Sequence, residues 1–346
     1  SAVSEVSVGG VRPANLGQEP AGQASLAAGL PMAAGCTTIN KVCGSGMKAI
    51  MFGHDLIRAG SAAIVVAGGM ASMTNAPHMV NARAGIRYGD GQLIDHMAWD
   101  GLTHPYDGQS MGVFAENCAD KYHFTREAQD AYAIESVKRA RAATESGEFA
   151  DELVPVSVKT RNGEVAYAED EQPKRSNIDK IPQLKPAFRR ENGTVTAATS
   201  SSISDGAAAT VLMSAEAAQK RGIKPLARIV AHATHSQEPE WFTTAPIGAI
   251  RKVLDKAGWA VEDVDLFEIN EAFAAVAMAP IEELGIAHDK LNVNGGACAL
   301  GHPIGATGAR IVVTLLNALK HRGSSRGVAA LCIGGGEATA LAVEIE

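Results

Sequence analysis

Four residues of this 346-residue chain stand where their chemistry is useful: Cys43, Asn270, His302 and Cys332. Cys43 lies in C-G-S-G, at a strand end and just ahead of a helix expected to begin around residues 45–47. A thiol there meets the positive end of the helix dipole, which favours thiolate, and the flanking glycines leave room around the sulfur. The same position suits an inert buried cysteine, the commoner fate of a free thiol. His302 lies in G-H-P-I-G-A-T-G, where Pro303 fixes the next backbone angle and a helix start disfavours the imidazolium. A structural or surface histidine is the plainer alternative. Cys332 follows an apolar run and precedes three glycines, so burial would hold its pKa up and let it exchange protons as an acid–base group. Core packing is its other reading. Asn270 closes L-F-E-I-N, a place for an immobile amide or for a helix cap.

Other motifs are missing or weak. His232 and His235 are three apart in what reads as a loop, and no cysteine or carboxylate pattern completes a metal site. No G-x-G-x-x-G with a following acid and no G-x-x-x-x-G-K-[ST] occurs, so neither a dinucleotide nor a P-loop nucleotide is expected. Asn192-Gly193-Thr194 fits a glycosylation acceptor only by a motif that chance produces often.

Composition narrows the class. Hydrophobic residues make up 46% and charged residues 20%, and the net charge of −7 argues against a broad nucleic-acid surface. Five cysteines without a C-x-x-C pair read as reduced thiols, which with this charge points to a cytoplasmic protein. No run of apolar residues is long enough to span a membrane. At about 150 residues per domain, the length suits two domains or three small ones.

The elements that must carry these residues form two similar series. Residues 21–28 read as a short helix, 37–42 as a strand, 47–58 as a helix with Met47, Ile50, Met51 and Ile57 at helical spacings, and 62–67 as a buried strand closed by Gly68-Gly69. Residues 70–193 change texture, with polar loops and one long helix from the N-cap Thr125 to about Glu145, stopped at Gly147. Sheet texture returns at 206–213. In the last third, 246–257 reads as a helix, 266–269 as a strand followed by a helix to about Leu284, and 291–294 as a strand. A helical stripe then starts near Gly308, and strands at 328–333 and 339–345 flank three glycines. The order Gly-rich turn, helix, apolar strand, glycine cluster occurs twice, a hint of duplication.

Taken together, N-K-V-C-G-S-G-M-K-A around Cys43, N-E-A-F-A from Asn270, N-G-G-A-C-A-L-G-H-P-I-G-A-T-G-A-R from Asn294 and C-I-G-G-G-E-A from Cys332 resemble the thiolase family, in its acetyl-CoA acetyltransferase or 3-ketoacyl-CoA thiolase branch. The resemblance runs over essentially the whole chain. It implies an α/β fold, a duplicated five-layered α/β/α/β/α core of two βαβαβαββ halves with an inserted loop domain. Residues 1–75 plus 193–216 would form the first half, 76–192 the CoA-binding loop domain and 217–346 the second half. Family chains carry a further stretch ahead of the segment matching S-A-V-S-E-V-S-V-G-G, so the first half is expected to be incomplete at its start.

By the same resemblance Cys43 is the nucleophile that carries the acyl group, and His302 takes its proton and later helps hold the thioester oxygen. Cys332 moves the α-proton of the second acetyl group. Asn270 holds a water that forms one oxyanion hole with His302, and the backbone N–H groups of Cys43 and Gly334 form the other. Coenzyme A enters as substrate and product, with no tightly bound cofactor and no metal. Leu102, Met111, Lys174, Phe188, Ala197, Ser201 and Phe273 match residues that touch CoA or line the acyl pocket. Ser110 stands where short-chain enzymes often have His. A homodimer or homotetramer is implied. The alternatives are a decarboxylating ketosynthase-like condensing enzyme, whose sites use paired His where this chain has Asn270 and Cys332, and a CoA-binding assembly protein without catalysis.

Overall fold

The computed structural model describes residues 3–161 and 163–345. They form two compact units: Ser1–Met111 with Ile203–Arg221 and Pro303–Ala309, and Gly112–Ser202 with Gly222–His302 and Arg310–Glu346. The stretch expected as a loop domain is thus shared between the two, 76–111 with the first unit and 112–192 with the second.

The first unit holds a four-stranded sheet in the order Gly35–Ile39, Glu5–Gly9, Ile64–Ser72, Asp205–Met213, the first three parallel and the last antiparallel. Helices Pro20–Ala27 and Ser45–Arg58 make the crossovers that parallel neighbours require. The second helix buries Met47, Ile50 and Met51, the stripe expected from their spacing. In the second unit the order is Leu266–Ile269, Arg326–Ile333, Glu337–Glu344, Arg228–Ser236. The first pair is parallel and the others are antiparallel. Its two central strands are buried through almost their whole length, because helices such as Ala245–Ala257 pack Ile250, Val253 and Leu254 against the sheet.

The expected duplication is visible in the pairing. In each unit a parallel pair is followed by one antiparallel strand, and a helix (Ser45–Arg58 or Thr307–Arg322) leads into the middle strand. Leu291 forms a parallel bridge to Phe267, the place that Gly35–Ile39 takes beside Glu5–Gly9.

Several sequence expectations need correction. The segment 291–294 is only that isolated bridge, because Asn292 turns into the left-handed region at φ 47° and its side chain takes over the pairing with Ile269. The strand expected at 37–42 is Gly35–Ile39; Val42, at φ 47°, has left extended backbone. The strand expected to close at Gly68-Gly69 runs on to Ser72, held by pairing with Asp205–Met213. Glycine is needed there for close approach, since a Cβ on Gly69 would lie 2.1 Å from the Gly305 carbonyl oxygen. His232 and His235 lie on the strand Arg228–Ser236 rather than in a loop, and an odd spacing on a strand sends them to opposite faces. The long helix, in contrast, is as expected: Arg126–Ser146, with the Thr125 hydroxyl accepting from Ala128 N at 3.1 Å and Gly147 at φ 79° ending it.

Around Gly305 the first unit packs backbone on backbone. A Cβ on Gly308 would lie 2.4 Å from Met47 N. Gly308→Ala is therefore expected to cost about 1–3 kcal/mol through overpacking against main chain that cannot rotate away. Urea unfolding of the purified variant checks this; an unchanged midpoint would show that the helices yield.

Candidate active site

In the first unit, the chain leaves the strand Gly35–Ile39 through a tight turn that delivers Cys43 to the start of the helix Ser45–Arg58. The turn is tied at several points. Ser45 Oγ accepts from Lys41 N at 2.8 Å and donates to the Val42 carbonyl at 2.7 Å, while Asn40 Oδ1 accepts from Val42 N at 3.0 Å. These bonds hold Val42, a β-branched residue, at a positive φ that such side chains rarely adopt, so strain is stored immediately before the cysteine. Cys43 is half-buried and packs with Leu102, Val42 and Met97 on Val11, Met73 and Ile304. Leu102, expected to line the acyl pocket, thus shares an apolar wall with Cys43. Met111 opens the helix Met111–Tyr122, half-buried, and the preceding Ser110 is exposed and bridges to Thr103.

Arg12 joins this site unannounced by any sequence motif. Burial pushes its guanidinium pKa down, opposed by Asp205, Cys43 and Asp95. Its Nε and Nη1 are buried without a hydrogen-bond partner. The helix start and Arg12 are both positive features near Cys43, and both favour an anion there.

In the second unit, Asn270 ends the strand Leu266–Ile269 and His302 follows the short helix Ala297–Leu300. Their side chains meet: Asn270 Nδ2 lies 3.5 Å from His302 Nε2, and both residues are buried. Asn270 is not the cap of the helix that follows, which starts at Ala274 behind Phe273. Its Oδ1 is buried with no hydrogen-bond partner, an acceptor that a donor must satisfy. His302 N donates to the Ser202 carbonyl at 3.2 Å. Cys332 is buried near the end of the strand Arg326–Ile333, opposite Ala338, and Gly334 opens the three-residue turn to the next strand.

The remaining expected residues fall into two groups. Phe188 and Phe273 make an edge-to-face pair with ring centroids 5.9 Å apart. Ser200 bridges Phe273 and Ser201 N donates to the Ala272 carbonyl at 3.0 Å, so the loop carrying Ala197 and Ser201 is stitched to the segment after Asn270. Buried Glu116 anchors that loop from the other side, accepting from Thr194 N and Val195 N at 2.9 and 3.0 Å. Lys174 does not join them: its ammonium pairs with Glu169, and it lines a basic recess with Lys138, Arg141 and Arg175.

The thiols differ sharply in setting. Burial pushes Cys118 up to about 11, and burial followed by Glu271 pushes Cys298 well above the ordinary thiol value, whereas Cys36 and Cys43 are half-buried. Brief iodoacetamide treatment at pH 8 is expected to label Cys36 and Cys43 and to spare Cys118 and Cys298, since only about one Cys118 in a thousand is thiolate there. Peptide mass mapping reads this directly; labelling of Cys298 in the folded protein would contradict it. A thiol raised in the folded state also favours unfolding at alkaline pH, so stability should fall as pH rises from about 8.5 through 11.

Against known proteins, the thiolase N-terminal domain matches residues 1–216 and the thiolase C-terminal domain residues 223–345. The chain belongs to the thiolase family. It is 51% identical over 345 residues to an acetyl-CoA acetyltransferase of Chromobacterium violaceum, covering 99% of this thiolase and 88% of that protein. With a probable acetyl-CoA acetyltransferase of Dictyostelium discoideum the identity is 52% over 346 residues, covering 99% and 83%. Among solved structures, the Acat5 thiolase from Ascaris suum in complex with coenzyme A superposes with a TM-score of 0.95 at 47% identity, covering all of this thiolase and 88% of that chain. The Bacillus anthracis acetyl-CoA acetyltransferase gives 0.96 at 43% identity, covering 100% and 88%. The α/β fold expected from the motifs is thus the thiolase fold. No helix among the described residues of this thiolase is long and apolar enough to cross a membrane.

Proposed function

We propose that this thiolase moves an acetyl or short acyl group between CoA thioesters by a ping-pong route through an acylated Cys43. The observation that carries the reading is the buried Asn270–His302 pair with its unsatisfied Asn270 Oδ1, set in a chain about half identical to acetyl-CoA acetyltransferases. In this reading the Cys43 thiolate attacks the thioester carbonyl of acetyl-CoA and free CoA leaves, taking up the proton that His302 accepted from the thiol. Splitting a carbon–carbon exchange in this way replaces one difficult step by two easier ones. A second acetyl-CoA then loses an α-proton to Cys332, and its enolate carbon attacks the acetyl-Cys43 carbonyl. The Cys43 thiolate leaves and takes up the proton that Cys332 received, which restores both cysteines to their starting state, and acetoacetyl-CoA departs. Thiolysis is the same sequence reversed.

Negative charge develops once on a tetrahedral oxygen and once on an enolate oxygen, so two donor sets are needed, each donor worth roughly 3–4 kcal/mol. Asn270 Oδ1 would hold a water whose hydrogen, with His302, meets one oxyanion. The N–H groups of Cys43 and Gly334 would meet the other. Leu102, Met111, Phe188, Ala197, Ser201 and Phe273 are proposed to contact CoA or the acyl group, with Lys174 and its basic neighbours nearer the phosphates. The two-half division with a loop domain, a homodimer or homotetramer and a cytoplasmic setting belong to the same proposal. The ketosynthase and non-catalytic alternatives are not favoured by the relatives.

The deciding experiment incubates the protein with acetoacetyl-CoA and free CoA, follows acetyl-CoA release, and weighs the protein for an acetyl adduct mapped to Cys43. Turnover with an adduct supports the reading. Absence of both, or dependence on a malonyl thioester, overturns it.

A further inference from the structure

Glu271, the residue after Asn270, is buried to 1% exposure, and no step of the proposed reaction uses it. Each of its carboxylate oxygens accepts two hydrogen bonds. Tyr132 Oη at 2.9 Å and Asn292 Nδ2 at 2.8 Å donate to Oε1; Ser136 Oγ at 2.8 Å and Cys298 N at 3.0 Å donate to Oε2. Four donors thus converge on one side chain and occupy both of its oxygens. The donors come from the helix Arg126–Ser146 and from both parts of the loop that runs from Asn292 to the helix Ala297–Leu300.

Three of the four donors are tied further into the site. Asn292 clasps the backbone of Ile269, accepting from its N–H and donating to its carbonyl, both at 2.8 Å, and so fixes the strand end that carries Asn270. Ser136 Oγ also accepts from Gly296 N at 2.9 Å. A Cβ on Gly296 would sit 2.2 Å from the Glu271 carboxyl carbon, so the loop is seated directly on the carboxylate. Cys298 lies in the helix that delivers His302. Asn270 and His302 are 32 residues apart in sequence and approach to 3.5 Å, and the Glu271 cluster ties together the two segments that carry them.

We propose that Glu271 is a positioning residue that holds Asn270 and His302 in register, so that its loss lowers the chemical step rather than substrate binding. The inference rests on the catalytic reading of that pair. Glu271→Gln places an amide N–H₂ where one oxygen now accepts two donors. In the thiolysis assay it is expected to lower kcat by about 10²-fold while KM stays within about threefold. Combined with Asn270→Ala it should add less than about threefold to the loss from Asn270→Ala alone, because the two act through one group. Tyr132→Phe and Ser136→Ala each remove one donor and keep the fold's volume, and are expected to give graded kcat losses of about three- to tenfold should Glu271→Gln fail to fold.

Hydrogen exchange supplies a readout independent of turnover: residues 292–302 should exchange at least about tenfold faster in the variants than in the wild type. An unchanged kcat, multiplicative losses in the double variant, or unaltered exchange in this segment would each overturn the proposal. A wild-type protein without thiolysis would instead defeat the functional reading and leave the exchange result to judge the clamp.

Discussion

Replacing Cys43 by alanine is expected to reduce thiolysis of acetoacetyl-CoA by about 10⁴-fold or more and to abolish the acetyl adduct. The size follows from the proposed route, in which no other group can carry the acyl chain between half-reactions, so that the two-step path closes altogether. The local structure gives the reason for placing a nucleophile here. Cys43 is half-buried, follows a residue at φ 47° and stands at the N-terminus of a 14-residue helix. Folding is expected to survive, since the cysteine sits at the edge of its apolar wall rather than inside it. Steady-state kinetics with circular dichroism as the folding control measure this. Retention of more than about a hundredth of wild-type kcat would move the nucleophile elsewhere, with Cys332 the next residue to examine.

The second large effect is at Asn270. Asn270→Ala is expected to lower kcat by about 10²–10³-fold, the cost of losing one oxyanion donor arrangement, with a smaller change in KM. The amide's Oδ1 has no hydrogen-bond partner although it is buried, so removing it relieves an unsatisfied acceptor at the loss of only the long Nδ2 contact to His302 Nε2. Stability should therefore hold or rise slightly while activity collapses, the opposite of what a packing residue shows. Thermal unfolding beside kinetics separates the two; a large drop in Tm with kcat preserved would make Asn270 a structural residue after all.

Much of the fold was legible locally. The Thr125 cap, the Gly147 stop, the strand 266–269 and the stripe on Ser45–Arg58 all come from side chains acting within a few residues of themselves. The misreadings share a cause as well. Glycines at 68 and 69 look like a strand end because glycine usually breaks strands, yet here a neighbouring backbone at 2.1 Å from a would-be Cβ requires them. Residues 291–294 have a strand's composition, but the Asn292 side chain replaces backbone pairing. Arg12 escaped notice because a single arginine has no periodicity to betray that it is buried beside the cysteine.

By itself, the sequence determined which reactive groups exist and what immediately surrounds them: a thiol before a helix and a histidine before proline, both among glycines, and an amide at a strand end. Those features depend on neighbours in the chain, so residue order alone reveals them. The tertiary structure decided which of these groups meet. The 3.5 Å approach of Asn270 to His302, and the four donors gathered on Glu271 from segments far apart in sequence, exist only where those segments cross. Hydrogen bonds form or fail over a few tenths of an ångström, a margin set by packing across the whole unit and written in no single stretch of chain.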